Sequence, residues 1–160
     1  MSTVISVLAF LMSLGSWIYT FIHQRRCLNV TLAAYQLLPK SLVLLLIFEN
    51  KSRLPISITR ISLLAGTEML HSIPQNVVFF TTVKNQGMPN EEKKEYCSTD
   101  QPINLGSLGA QSAYVFFRDY RQILPEVPTH LTLELCTNRG KAIQMTLPKP
   151  DLLLKDLLSI

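Results

Sequence analysis

Catalysis and metal binding need particular side chains gathered in one place, and this chain supplies few candidates. His23, His71 and His130 are far apart and show none of the paired spacings by which imidazoles share a metal ion. Cys27, Cys97 and Cys136 make an odd number without a CxxC pair, which favours reduced thiols over an extracellular disulfide framework. Glu49, Glu68 and Glu134 fall in different segments, and no spacing pairs any two of them for acid–base work. Gly106-Ser107-Leu108-Gly109 lacks the lysine of a phosphate-binding loop and the serine position and following helix of a nucleophile elbow, so it reads as a turn. Arg118-Asp119-Tyr120-Arg121 crowds polar groups behind an aromatic strand; a strand-end ion pair is the plainer reading and a binding site the sharper one. No catalytic residue, cofactor or metal is expected.

Membrane contact is better supported. Val4 to Ile22 is uncharged over 19 residues and as a helix would cover ~28 Å, about the hydrocarbon thickness of a bilayer. A cleaved signal peptide carries its positive charge ahead of the apolar run. Here His23, Gln24, Arg25 and Arg26 follow it instead, which by the positive-inside rule places the N-terminus outside and the rest of the chain in the cytoplasm. Trp17 and Tyr19 sit near the inner boundary, at the depth amphipathic rings prefer.

Ser6, Ala9, Ser13, Ser16 and Thr20 recur at spacings of three and four and form one stripe of small or weakly polar residues. The stripe is either the ordinary small-residue content of such helices or a surface for self-association or a membrane partner. Charge is also uneven. Through Arg60 the chain carries six basic residues against Glu49, a balance of +5, and the remainder carries nine against ten, or −1. Arg25, Arg26, Lys51 and Arg53 are therefore candidate lipid-headgroup contacts, each suitably placed basic residue contributing about 1 kcal/mol at an anionic leaflet. The folded part lacks a basic stripe with interleaved aromatics, so no nucleic-acid partner is expected. Cys27, just past the basic flank, reads as a buried strand cysteine, with S-acylation the alternative.

Beyond the anchor the periodicity becomes strand-like. Leu28, Val30, Leu32 and Ala34 alternate with Asn29, Thr31, Ala33 and Tyr35, as in a half-buried strand. After the Leu37–Lys40 turn, Leu42 to Phe48 is continuously apolar, which fits a central strand buried on both faces. In Ile56 to Leu64 the apolar phase shifts after Arg60, predicting a bulge or a strand that changes sheets. Further strands are predicted at 76–83, 103–105, 113–117, 131–136 and 142–147, the last two joined by a turn at Thr137–Lys141. Residues 84–101 read as one long polar loop, a length that in compact domains is functional or disordered, with one helical turn at Glu91–Glu95 the alternative to a solvated loop. At the C-terminus Asp151 can cap a helix whose leucines at 153, 154, 157 and 158 would dock on the domain or, alternatively, enter a partner's groove.

The order of parts, with an apolar serine-rich helix and basic flank, then FENKSRLPISITRISLL and later PINLGSLGAQSAYVFF, resembles a type of small bacterial membrane-anchored protein of prophage or mobile-element character. The likeness covers most of the chain and implies an immunoglobulin-like sandwich; it brings no activity or site residues. The expectation is thus an all-β chain: an antiparallel immunoglobulin-like β-sandwich of seven or eight strands preceded by one N-terminal transmembrane helix. Residues 1–26 form the anchor, 27–150 the domain and 151–160 a short helix or tail. The expected role is a non-enzymatic, single-pass binding module whose partners are membrane lipid and a protein met through the anchor, the 84–101 loop or the C-terminal leucines. Two alternatives remain: an immunity or superinfection-exclusion factor acting within the membrane, and an enzyme with an unrecognised pocket.

Overall fold

A computed structural model describes residues 2–23, 27–84 and 92–158. Helix α1, Ser2–His23, contains an 18-residue stretch, Thr3–Thr20, that is long and apolar enough to cross a membrane, and none of it is buried among the described residues. Ten strands are formed among the described residues: β1 Leu28–Leu38, β2 Ser41–Asn50, β3 Ile56–Ala65, β4 Glu68–His71, β5 Val78–Lys84, β6 Glu92–Cys97, β7 Ile103–Leu105, β8 Ala110–Arg118, β9 His130–Thr137 and β10 Ile143–Pro148. Helix α2, Leu154–Leu158, follows.

The strands pair antiparallel in three sheets. One runs β1-β2-β8; the second runs β10-β9-β3-β4, with β7 also pairing β3; β5 and β6 form a separate hairpin. The two larger sheets contribute to one apolar core. Leu44, Leu46, Phe48, Val115 and Phe117 meet Ile58, Ile61, Leu63, Leu133 and Leu135 there. Strand β2 is apolar from Leu42 to Phe48, and its other face is covered too. Leu45, with Ala34 and Tyr114, packs under Phe79, Phe80 and Tyr96 of the hairpin and under Leu154 and Leu158 of α2.

Two bulges set which side chains face the core. In β3 the register slips between Ile58 and Arg60, so Thr59 is the extra residue that keeps both Ile56/Ile58 and Ile61/Leu63 buried. The phase shift in the sequence foretold it. In β1 the register slips at Ala33, which the regular alternation did not foretell. Ala34 consequently turns to the outer face under α2, while Tyr35 and Leu37 pack on the main core.

The expected seven or eight strands are corrected to ten by β4 and β6. Strand β4 is four residues long with only Leu70 buried, too short for a periodicity, and only the Gly66 turn at φ 63° announces it. The single polar loop expected over 84–101 is likewise corrected: Glu92–Cys97 is strand β6, registered from Lys84↔Glu92 to Val78↔Cys97. Glu92 to Glu95 are exposed, so no apolar alternation marks them. Residues 85–91 lie outside the described residues.

Candidate functional site

Pairing gathers distant segments at the end of the domain that adjoins α1. Leu28 opposes Asn50, Glu49 opposes Ala110 and Ile56 opposes Leu105, which brings the β2–β3 connection (51–55) and the β7–β8 turn (106–109) together. The backbone NH of Lys51 donates to the Cys27 carbonyl at 2.8 Å, tying this end to the chain leaving the helix. Cys27 itself is exposed and precedes β1, which corrects its reading as a buried strand cysteine.

Asn50 organises this pole. Its side chain, 2% exposed, donates to the carbonyls of Leu54 (2.9 Å) and Gly106 (2.8 Å) and accepts from the Ser52 NH (3.0 Å) and hydroxyl (2.6 Å). An asparagine amide offers two donors and two acceptor lone pairs, so all four are used. The candidate headgroup residues Lys51 and Arg53 project from this frame. Lys51 Nζ lies 3.6 Å from Glu49, whose carboxylate also accepts from Asn29 Nδ2 at 3.1 Å. The Asn29 hydrogen bond first, and the Lys51 charge second, hold the Glu49 pKa below its ordinary value. Arg53 Nη1 donates to the Tyr19 hydroxyl of α1 at 3.5 Å. Arg25 and Arg26 lie outside the described residues.

On α1, Ser6, Ala9, Ser13, Ser16 and Thr20 occupy an arc of about 80° at 100° per residue, and the described helix side chains are exposed. The Thr20 hydroxyl donates to the Ser16 carbonyl at 2.8 Å, so it is satisfied within the helix.

The opposite pole holds a cleft of about 510 Å³ lined by Leu37, Pro39, Lys40, Asp119, Gln122 and Leu124. Asp119, 4% exposed, accepts from the backbone NH groups of Ile123 (2.8 Å) and Leu124 (2.9 Å), while its own NH donates to Lys40 O. This carboxylate therefore orders the 119–124 loop, a correction to the strand-end ion pair. The ion pair at this pole joins Arg121 to Glu68 instead, at 3.7 Å across the surface. Such exposed pairs contribute ~0–1 kcal/mol.

The remaining chemistry-bearing residues stay apart. His71 Nδ1 is hydrogen-bonded to Ser62 Oγ at 2.9 Å, His130 lies beside Thr129, and the three cysteines are free. Among the described residues no group of three His, Cys, Asp or Glu side chains is placed to hold a metal ion. The C-terminal leucines divide: Leu154 and Leu158 are buried against the domain, while Leu152 and Leu157 are exposed. Asn50 is what a linear reading missed, because its role depends on strand pairing. No protein-family model matches the chain, and no curated protein matches it either.

Proposed function

We propose that the protein is a non-enzymatic, single-pass membrane-anchored binding module, with its N-terminus outside, its β-domain in the cytoplasm and a larger membrane complex as its partner. One observation carries the proposal: α1 is apolar along Thr3–Thr20, and none of that stretch is buried among the described residues, which is the exposure a bilayer-spanning helix has outside its membrane. The charge that follows the helix sets the direction.

The domain is proposed to be an immunoglobulin-like sandwich. Supporting this are two antiparallel sheets around one core and a strand order, β10-β9-β3-β4, that places neighbours far apart in sequence. It departs from antibody domains in having free cysteines and its sole tryptophan on α1.

Topology is tested by labelling intact cells with a membrane-impermeant maleimide. Cys27 and Cys97 should react only after permeabilisation; ready labelling of intact cells would reverse the orientation. Purification in mild detergent should retain a membrane-protein partner. A second reading, immunity or superinfection exclusion within the membrane, is favoured by the small-residue arc on the exposed helix. It requires that Ser13→Leu with Ser16→Leu abolish activity while the domain stays folded.

A further inference from the structure

We propose that the pole of the domain beside α1 is a lipid-contact surface: Leu108 and Leu54 enter the interfacial layer of an anionic leaflet while Lys51 and Arg53 meet its phosphates. This rests on the anchor reading and extends it from single charges to a built surface with an apolar tip.

The tether decides what this pole faces. Strand β1 begins five residues after α1 ends, and an extended chain covers at most ~3.6 Å per residue, so Leu28 stays within about 18 Å of the helix end. Leu28 pairs with Asn50, and the Arg53–Tyr19 contact joins the adjoining connection to the helix. The β9–β10 turn belongs to the same pole, since Asn138 NH donates to Ser57 O at 2.9 Å and Ser57 NH to Asn138 Oδ1 at 3.0 Å.

Charge separates the two poles. The segments 50–55, 106–109 and 138–142 carry Lys51, Arg53, Arg139 and Lys141 and no carboxylate, a balance of +4, or +3 with Glu49 at the end of β2. At the far pole, segments 39–40, 66–67, 119–129 and 149–151 carry Lys40, Arg121 and Lys149 against Asp119, Glu126 and Asp151, a balance of 0. Positive charge thus faces the side on which the anchor leaves, as attraction to an anionic leaflet requires.

The apolar tip is the second feature. Leu108 is 70% exposed and held at φ 53°, a left-handed conformation that strains any residue with a Cβ. It is pinned there by its NH, which donates to Ser52 O at 3.0 Å, and by the Gly109 NH to Gly106 O bond at 3.2 Å. Leu54, on the connection that the same network holds, is 39% exposed. Two leucines raised beside basic residues are the composition of an interfacial contact: the apolar groups enter the headgroup–acyl boundary while the cations stay among phosphates.

The test uses the full chain carrying Trp17→Phe, so that an introduced indole is the sole one. Leu108→Trp and, as an independent reporter, Leu54→Trp probe this pole; Tyr120→Trp, at a site 68% exposed, probes the far one. Each is reconstituted into phosphatidylcholine–phosphatidylglycerol vesicles with or without brominated acyl chains. Vesicle flotation reads the anchor separately. The expected result is blue-shifted emission and several-fold quenching by brominated lipid at 108 and 54, with neither at 120. Added Lys51→Glu and Arg53→Glu should reduce that quenching several-fold, and high salt should mimic them. Floating vesicles with 108 and 54 as unquenched as 120 would overturn the surface and leave the anchor standing. Blue-shifted but unquenched indoles would assign the tip to a second copy or another protein, which also overturns it. Failure to float would overturn both.

Discussion

Asn50→Ala should be among the most damaging single changes at an unremarkable position of the sequence. The side chain makes four hydrogen bonds from a nearly inaccessible site. One loss is recoverable: the Ser52 hydroxyl has a single hydrogen and, released from Asn50 Oδ1, can donate to Leu54 O, already 2.9 Å away. That leaves about three net bonds lost at ~1 kcal/mol each, or roughly 3 kcal/mol, with Gly106 O left without its side-chain donor. For a domain of this size the midpoint should fall by roughly 10 °C. The assay is thermal unfolding of the detergent-solubilised chain followed by the circular dichroism of its strands.

Asn50→Asp sharpens the same test because shape is nearly kept while two donors are lost. A carboxylate there would face the carbonyls of Leu54 and Gly106, so its folded pKa should rise above the ordinary value of about 3.9. The neutral form is favoured in the folded state, so stability should be greatest below the unfolded pKa and decline as pH rises through the folded one. Asn50→Ala within ~0.5 kcal/mol of the parent, or Asn50→Asp with no loss on raising pH, would refute the reasoning.

Three further outcomes follow from other parts of the molecule. Leu154→Ala should cost about 2–4 kcal/mol and expose α2 to proteolysis, whereas Leu157→Ala, at an exposed site, should stay within ~0.5 kcal/mol; equal effects would mean that α2 does not dock as described. Deleting Thr59 should be tolerated far better than deleting Ser62, because it removes the bulge and leaves Ile58 and Ile61 in unbroken alternation; urea midpoints of the two deletions decide this. Glu49 has a lowered pKa, so its contribution is present above its unfolded pKa and is lost as pH falls through the lower folded one; Asn29→Ala should move its NMR titration toward the ordinary range more than Lys51→Ala does.

Features stated by short-range alternation were legible. The run Leu42 to Phe48 announced a strand covered on both faces, and the phase change at Arg60 announced the Thr59 bulge. The bulge at Ala33 was hidden because adjacent alanines suit either face, so sliding the phase across Ala33-Ala34 leaves no mark in the pattern. Strand β6 was hidden because Lys93, Lys94 and Glu95 are exposed and are placed by pairing with β5 rather than by apolar burial. The helix was the plainest feature of all, since a membrane-length apolar run needs no partner to be recognised.

The pole beside α1 shows why the rest was illegible. Lys51 and Arg53 could be suspected from the charge excess near the anchor, but Leu108, Arg139 and Lys141 stand 80 or more residues from α1 and reach its side only through strand pairing. Asn50 then fixes the local geometry by bonding across from Leu54 to Gly106, a link between segments that no spacing rule connects. On the lipid-contact proposal a short tether makes such an arrangement consequential: a domain held within about 18 Å of the helix end could not turn every face to a bilayer equally, and the pole beside α1 is the one that carries net positive charge and an upraised leucine. On that same proposal the far pole, with its balanced charge and its Asp119-ordered cleft, would lie away from the bilayer and stay open to a soluble partner. A domain rotated so that Tyr120 rather than Leu108 met the lipid would separate these two consequences from the tether and dismiss both together.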